Sequence, residues 1–281
     1  MAEERPEVAR SEAYRRRSGL ERLGAALGGA LGEGPLRRAL RAAYRSALHL
    51  AGGGRGIAAT LPGGETVRLL SEYRFVTWNP AEYHAFRAAA RPGTVALDVG
   101  ANVGAYTLLL GRWVRPGGRV YALEPASHAF RGLERHLRLN GLDDVVVPVR
   151  AAAAASTGRA RLAVDGVSGG NRLADAPAGE AVDTVTLDDF CAREGVRPSF
   201  IKVDVEGAEL DVLRGARETI AAAGAELALF VEMHPTLWRA MGIGVDEVRA
   251  ELALQGLRAE PLRPVADPWA LEGECLRLVR R

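Results

Sequence analysis

From residue 95 onward, short uniformly apolar runs alternate with longer stretches whose apolar positions recur every three to four residues. Apolar runs bounded by glycine, proline or charge read as strands covered on both faces, and the periodic stretches as helices packed over them. The pattern predicts strands over 95–99, 119–123, 145–150, 200–205 and 226–231, and helices over 103–115, 127–140, 187–194, 209–222 and 245–255. Such alternation signals an α/β fold, a doubly wound and mostly parallel sheet with helices on both faces. Pro116-Gly-Gly118 closes the first helix, Ser127 is the expected N-cap of the second, and Asn140-Gly141 is its stop. Residues 156–186 break the rhythm, with one extra strand expected at Val182–Val185 and a loop at Ser168-Gly-Gly-Asn171. Two closing strands are expected near 257–261 and 274–280.

Upstream, Leu20, Leu23, Leu27 and Leu31, then Leu36, Leu40, Tyr44 and Leu48, recur at helical spacing. Residues 1–56 therefore read as a helical N-terminal extension ending in the linker Gly52-Gly-Gly-Arg-Gly56, and residues 57–281 as the main domain. Ten arginines against six glutamates in residues 1–50 would suit an anionic membrane surface. No aromatic anchors line the apolar side, however, so a helix facing a partner, a second copy or the site as a lid is expected instead. Alternation around Pro62-Gly-Gly64 predicts a β-hairpin.

Composition adds exclusions. The 281 residues are 48% hydrophobic and 26% charged, ordinary for a soluble globular chain. A net charge of +2, with arginines that never interleave with aromatics, gives no reason to expect nucleic acid. Cys191 and Cys275 stand far apart without a partner motif, as reduced thiols do. No apolar stretch is long enough to cross a bilayer, and the first residues lack the order of a secretory signal, so the expected location is the cytoplasm.

The candidate chemistry lies at the carboxyl ends of the strands, where open α/β sheets bind ligands. Strand 95–99 carries Asp98 and runs into Gly100-Ala-Asn-Val-Gly104. Gly100 permits the tight turn, Gly104 lets the next helix pack close, and the amides at Asn102, Val103 and Gly104 can hold an anion. Twenty residues after Gly104, the next strand ends at Glu124, placed to accept hydrogen bonds from both hydroxyls of a ribose. Asn102 replaces the central glycine of G-x-G-x-x-G, and the charge of Asp98 suits a cation better than a pyrophosphate. These features favour S-adenosylmethionine over NAD. Arg150 ends the following strand.

Phe200-Ile-Lys-Val-Asp-Val-Glu-Gly-Ala-Glu209 is the richest strand end. Alternation puts Lys202, Asp204 and Glu206 on one side, and a lysine in a buried strand needs a carboxylate such as Asp204. Asp204 is a candidate to orient or deprotonate an acceptor hydroxyl, and Glu209 reads as a favourable charge in a first helical turn. On the neighbouring strand, His234 is a candidate base with Glu232 to orient it. Asp204, Glu232 and His234 also suit a divalent cation, but no spaced ligand motif is present and no metal is assigned. His128 and His136 are expected at the surface.

Asp98-Val-Gly-Ala-Asn-Val-Gly104, Glu124-Pro125 and Ile201-Lys-Val-Asp-Val-Glu-Gly-Ala-Glu-Leu-Asp-Val-Leu-Arg-Gly-Ala216 resemble the FkbM family of S-adenosylmethionine-dependent methyltransferases, over about residues 75–235. The resemblance implies a Rossmann-like class I methyltransferase fold with an antiparallel final strand, Pro125 beside Glu124 at the cofactor, and methylation of a hydroxyl on a sugar, polyketide or other natural-product scaffold. Three rivals remain at this stage: an NAD-type oxidoreductase, a non-catalytic docking protein on the same fold, and a nucleic-acid methyltransferase. The last is disfavoured because Asn79-Pro80 lacks the second proline of an Asn-Pro-Pro motif.

Overall fold

The structure, a computed structural model, describes residues 55–164, 171–173 and 179–281. The helices expected over 1–50, and residues 168–170 of the expected loop, lie outside them. Contacts divide the chain into two compact units, Met1–His84 and Ala85–Arg281. No helix among the described residues is long and apolar enough to cross a membrane.

In the first unit, β1 (Ile57–Thr60) pairs antiparallel with β2 (Thr66–Leu69), which is the expected hairpin. Tyr83 holds its turn: the hydroxyl donates to Glu65 at 2.7 Å and accepts the N–H of Gly63 at 3.0 Å. The Asn79 side chain accepts the N–H of Ala81 at 2.9 Å, so Asn79-Pro80 opens helix α1 (Pro80–Ala89).

The second unit is built on seven strands: β3 (Val95–Val99), β4 (Arg119–Leu123), β5 (Val146–Val149), β10 (Phe200–Val203), β11 (Ala228–Met233), β12 (Leu257–Pro261) and β13 (Glu274–Arg280). Their order is β12-β13-β11-β10-β3-β4-β5, with β13 antiparallel to both neighbours and the other pairings parallel. This is the expected doubly wound sheet with an antiparallel final strand. Helices α2 (Ala105–Trp113), α3 (Ser127–Asn140), α4 (Leu187–Glu194), α5 (Glu209–Arg214), α6 (Arg217–Ala223), α7 (Pro235–Ala240) and α8 (Val245–Leu254) accompany it. One core joins Leu97, Val99, Ile201, Val203, Leu229 and Val231 of the sheet to apolar residues of α4 through α8. The alternate strand positions carry Asp98 opposite Lys202 and Lys202 opposite Phe230. There Phe86, Phe200 and Phe230 stack with ring centroids 4.8–5.7 Å apart.

Three details depart from the periodicity. A second sheet, ordered β6-β9-β7-β8, is formed by β6 (Ala152–Ala153), β7 (Gly158–Val164), β8 (Asn171–Leu173) and β9 (Glu180–Val185). Only the last was expected: β6 and β8 are two and three residues long, and β7 interleaves arginine with alanine instead of alternating large apolar residues. The helix expected over 209–222 divides into α5 and α6 at Gly215, where a β-carbon would stand 2.1 Å from the carbonyl oxygen of Ala154. Ala126, not Ser127, is the N-cap of α3, while Gly141 is its left-handed stop at φ +62°.

The sheet closes on the site at Gly100, where φ is +80° and a β-carbon would lie 1.7 Å from the Asp204 carbonyl oxygen. Gly141 shares the positive φ but has nothing within 4 Å. Gly141→Ala is therefore expected to cost about 1 kcal/mol and Gly100→Ala at least about 2 kcal/mol more. Denaturant unfolding of the two variants checks the difference, and equal losses would remove the steric argument.

Candidate active site

The carboxyl ends of β3, β4 and β10 meet at one cleft. After β3 the chain turns sharply through Gly100, Asn102 and Gly104, with φ of +80°, +50° and +93°. Glu124, just beyond β4, pins this turn: Oε2 accepts the N–H of Asn102 and Oε1 that of Ala126, each at 2.8 Å. Burial raises the Glu124 pKa to about 7 against those two hydrogen bonds. Gly100, Asn102, Glu124 and Pro125 line one side of the cleft, Ala151–Ala153 and Leu162 another, and Asp204, Val205 and Glu206 the third. The cleft holds about 620 Å³ of open space, its solvent mouth included.

Four other residues expected at the cofactor are not among those lining this cleft. Asp98 is 1% exposed and accepts from the Thr107 hydroxyl at 2.5 Å. Its other oxygen makes no hydrogen bond and stands 3.9 Å from Lys202 Nζ, and burial raises its pKa. Asp98 thus sits beneath the floor of the cleft. Gly104 serves helix packing, as expected, since a β-carbon there would lie 2.8 Å from the Leu133 side chain. The Val103 carbonyl accepts from His136 Nδ1 at 2.7 Å, and His136, expected at the surface, is wholly buried. Arg150 turns to Glu180 at 2.5 Å. The Asn102 amide, expected to hold an anion, is engaged by Glu124 instead.

The catalytic candidates do converge. Lys202 Nζ lies 3.0 Å from Asp204 Oδ2, the ion pair that a buried lysine requires. Asp204 leads into a turn in which Glu206 has φ +53° and Gly207 φ +106°. Burial, first among several causes, raises the Glu206 pKa. His234, 4% exposed, follows β11, and its Nε2 lies 3.7 Å from both Glu206 Oε2 and Glu232 Oε1. Glu232 was expected to orient the ring, but Glu209 does so. Its Oε1 takes Nδ1 of His234 at 2.7 Å and the N–H of Gly207 at 2.9 Å, while Oε2 takes the indole N–H of Trp238 at 2.5 Å. Burial works against a charge on His234, yet Glu209, with Glu232 and Asp204 behind it, lifts its pKa to about 9.

Glu209 was read as a helix-start charge, and its position held a stronger signal. With Val212 and Leu213 three and four residues on, it lies on the apolar face of α5. An acid on that face must be buried among donors.

Residues 98–259, more than half of the chain, match the family model described as a Methyltransferase FkbM domain. The chain is similar to a 31-O-demethyl-FK506 methyltransferase FkbM of Streptomyces tacrolimicus, 31% identical over 160 residues. That match spans 46% of this chain and 61% of the relative. Among solved structures, similarity extends to Aeropyrum pernix fibrillarin in complex with S-adenosyl-L-methionine, at TM-score 0.45 and 14% identity over 79% of this chain and 93% of that one. It also extends to a SAM-dependent O-methyltransferase of Thermotoga maritima, at TM-score 0.42 and 15% identity over 80% and 77%. With the family model spanning the cleft, the turn that Glu124 pins and the acidic cluster alike, the chain belongs to the FkbM family of S-adenosylmethionine-dependent methyltransferases.

Proposed function

We propose that this chain transfers a methyl group from S-adenosylmethionine to a hydroxyl oxygen of a small-molecule acceptor, such as a sugar, polyketide or other natural-product scaffold. The charge of the cleft carries the reading. Among the described residues that line it, Glu124, Asp204 and Glu206 are acids and none is lysine or arginine. A sulfonium with an amino group suits such a lining, whereas the pyrophosphate of a dinucleotide does not. The turn amide of Asn102, which a pyrophosphate would need, is engaged by Glu124.

The residues present fit that cofactor. Each Glu124 oxygen accepts one backbone N–H and keeps a second lone pair for a ribose hydroxyl. Leu162 and Ala151–Ala153 offer an apolar wall for a base. When bound, the sulfonium supplies an electrophilic methyl carbon. What remains for the protein is to hold an acceptor oxygen in line with it, which is mostly a matter of positioning. Asp204 reaches the cleft, stands within the Lys202 and His234 cluster, and orients the acceptor hydroxyl toward the methyl carbon. Oxygen as the methylated atom is also supported by the Streptomyces relative, named for an O-demethyl acceptor.

Glu124→Gln removes a charged acceptor, and a hydrogen bond of that kind is worth roughly 1.5–3 kcal/mol. Calorimetric affinity for S-adenosylmethionine is expected to fall about ten- to a hundredfold; undiminished affinity counts against the ribose role. In the unsubstituted protein, affinity should hold above pH about 7 and decline below it, because protonation of the raised Glu124 converts an acceptor into a donor. The Gln variant should lack that decline. Asp204→Asn should lower single-turnover methyl transfer about 10²-fold while cofactor affinity changes less than tenfold. Unchanged turnover removes Asp204 from the reaction.

A further inference from the structure

We propose that Asp204, Glu232 and His234 form a binding site for one hard divalent cation of the Mg²⁺ or Mn²⁺ class, at the acceptor side of the cofactor cleft. Each residue offers one ligand atom, and the three atoms lie within 4.8 Å of one another. Two ligands on one such ion stand at most about 4.4 Å apart, twice a metal–ligand distance of about 2.2 Å. Small side-chain rotations close that difference. Carboxylate and imidazole together are a donor set these ions accept.

The frame around the three residues is built. Asp204 follows β10, Glu232 lies near the end of the parallel neighbour β11, and His234 follows that strand directly. Glu232 Oε1 is backed by Gly273, where a β-carbon would stand 3.2 Å from it. The arrangement at His234 is the more telling observation. Its Nδ1 is held at 2.7 Å by Glu209, a carboxylate with no exposed surface, which aims Nε2 into the cluster. Metal-binding histidines are oriented in this way, with the far nitrogen donating to a carboxylate. Nε2 belongs to a side chain 94% buried, makes no hydrogen bond, and has carboxylate oxygens of Glu206 and Glu232 at 3.7 Å. Lys202 occupies one oxygen of Asp204, which holds that side chain in place.

Three protein ligands leave positions for water and for an acceptor oxygen. This role, unlike the binding itself, rests on the methyl-transfer reading. An acceptor hydroxyl on the cation becomes more acidic. Its proton passes to Glu206, which lines the cleft outside the ligand set, and the oxygen's electron pair then forms the bond to the methyl carbon as the carbon–sulfur bond breaks.

The test uses the full chain, stripped with chelator and titrated with Mn²⁺ alone, the free ion being counted by its electron paramagnetic resonance. One bound ion per chain is expected. Asp204→Asn, Glu232→Gln and His234→Ala should each weaken binding at least tenfold, and the positioning variant Glu209→Gln should do so about ten- to a hundredfold. Asp246→Asn, at an exposed acid on α8, should change nothing. Absence of a bound ion in the unsubstituted protein, or binding indifferent to all three ligand variants, overturns the site. Binding of S-adenosylmethionine, measured separately by calorimetry, distinguishes this failure from that of the methyl-transfer reading. Cofactor uptake and turnover in chelator would sink the cation alone. Mn²⁺ bound without cofactor uptake would sink the methyl donor and leave the cation site standing.

Discussion

The backbone of the turn after β3 touches the backbone at the end of β10, and the rest of the site depends on that contact. Gly100 has no side chain to hold the Asp204 carbonyl away. The two strand ends therefore form one rim of the cleft, on which Asp204 and Glu206 of the acidic cluster also lie. Parallel pairing of β3 with β10, Phe200 opposite Ala96 through Val203 opposite Val99, brings the ends level. The strand order reverses at this pair, so the crevice opens where α/β sheets bind their ligands.

Buried carboxylates then fix what the rim leaves loose. Glu124 ties the turn after β3 to the chain after β4, and Asp98 ties the floor of the cleft to α2 through Thr107. Glu209 ties the turn after β10 to the end of β11 and to α7. A charge withdrawn from water is costly unless donors meet it, and the donors that meet these acids come from different segments. Local geometry is thereby set across the sheet.

The sheet was legible from the chain because its strands are continuous apolar runs and its turns carry glycine. The expected bounds 95–99, 119–123, 187–194 and 274–280 are those observed. Gly100, Asn102, Glu124, Pro125 and Asp204 were likewise found at the cleft, because a strand end names its own location. Side-chain direction was not legible. Asp98 and Arg150 occupy strand ends too, yet one points under the floor and the other to Glu180. His136 was misjudged because its neighbours in sequence are charged, while its ring reaches across to the carbonyl before α2. The second sheet and the split at Gly215 answer to contacts far away along the chain, with Ala154 and with β9, which no local window contains.

Glu209 binds three donors at once, from Gly207, His234 and Trp238. Losing the acid strands three polar hydrogens in a dry interior, and changing any one donor unsettles the acid that serves the other two. Evolutionary drift through this spot is therefore gated. Departures must arrive as matched sets, so the imidazole and indole should be inherited or replaced as a block when lineages of this chain diverge.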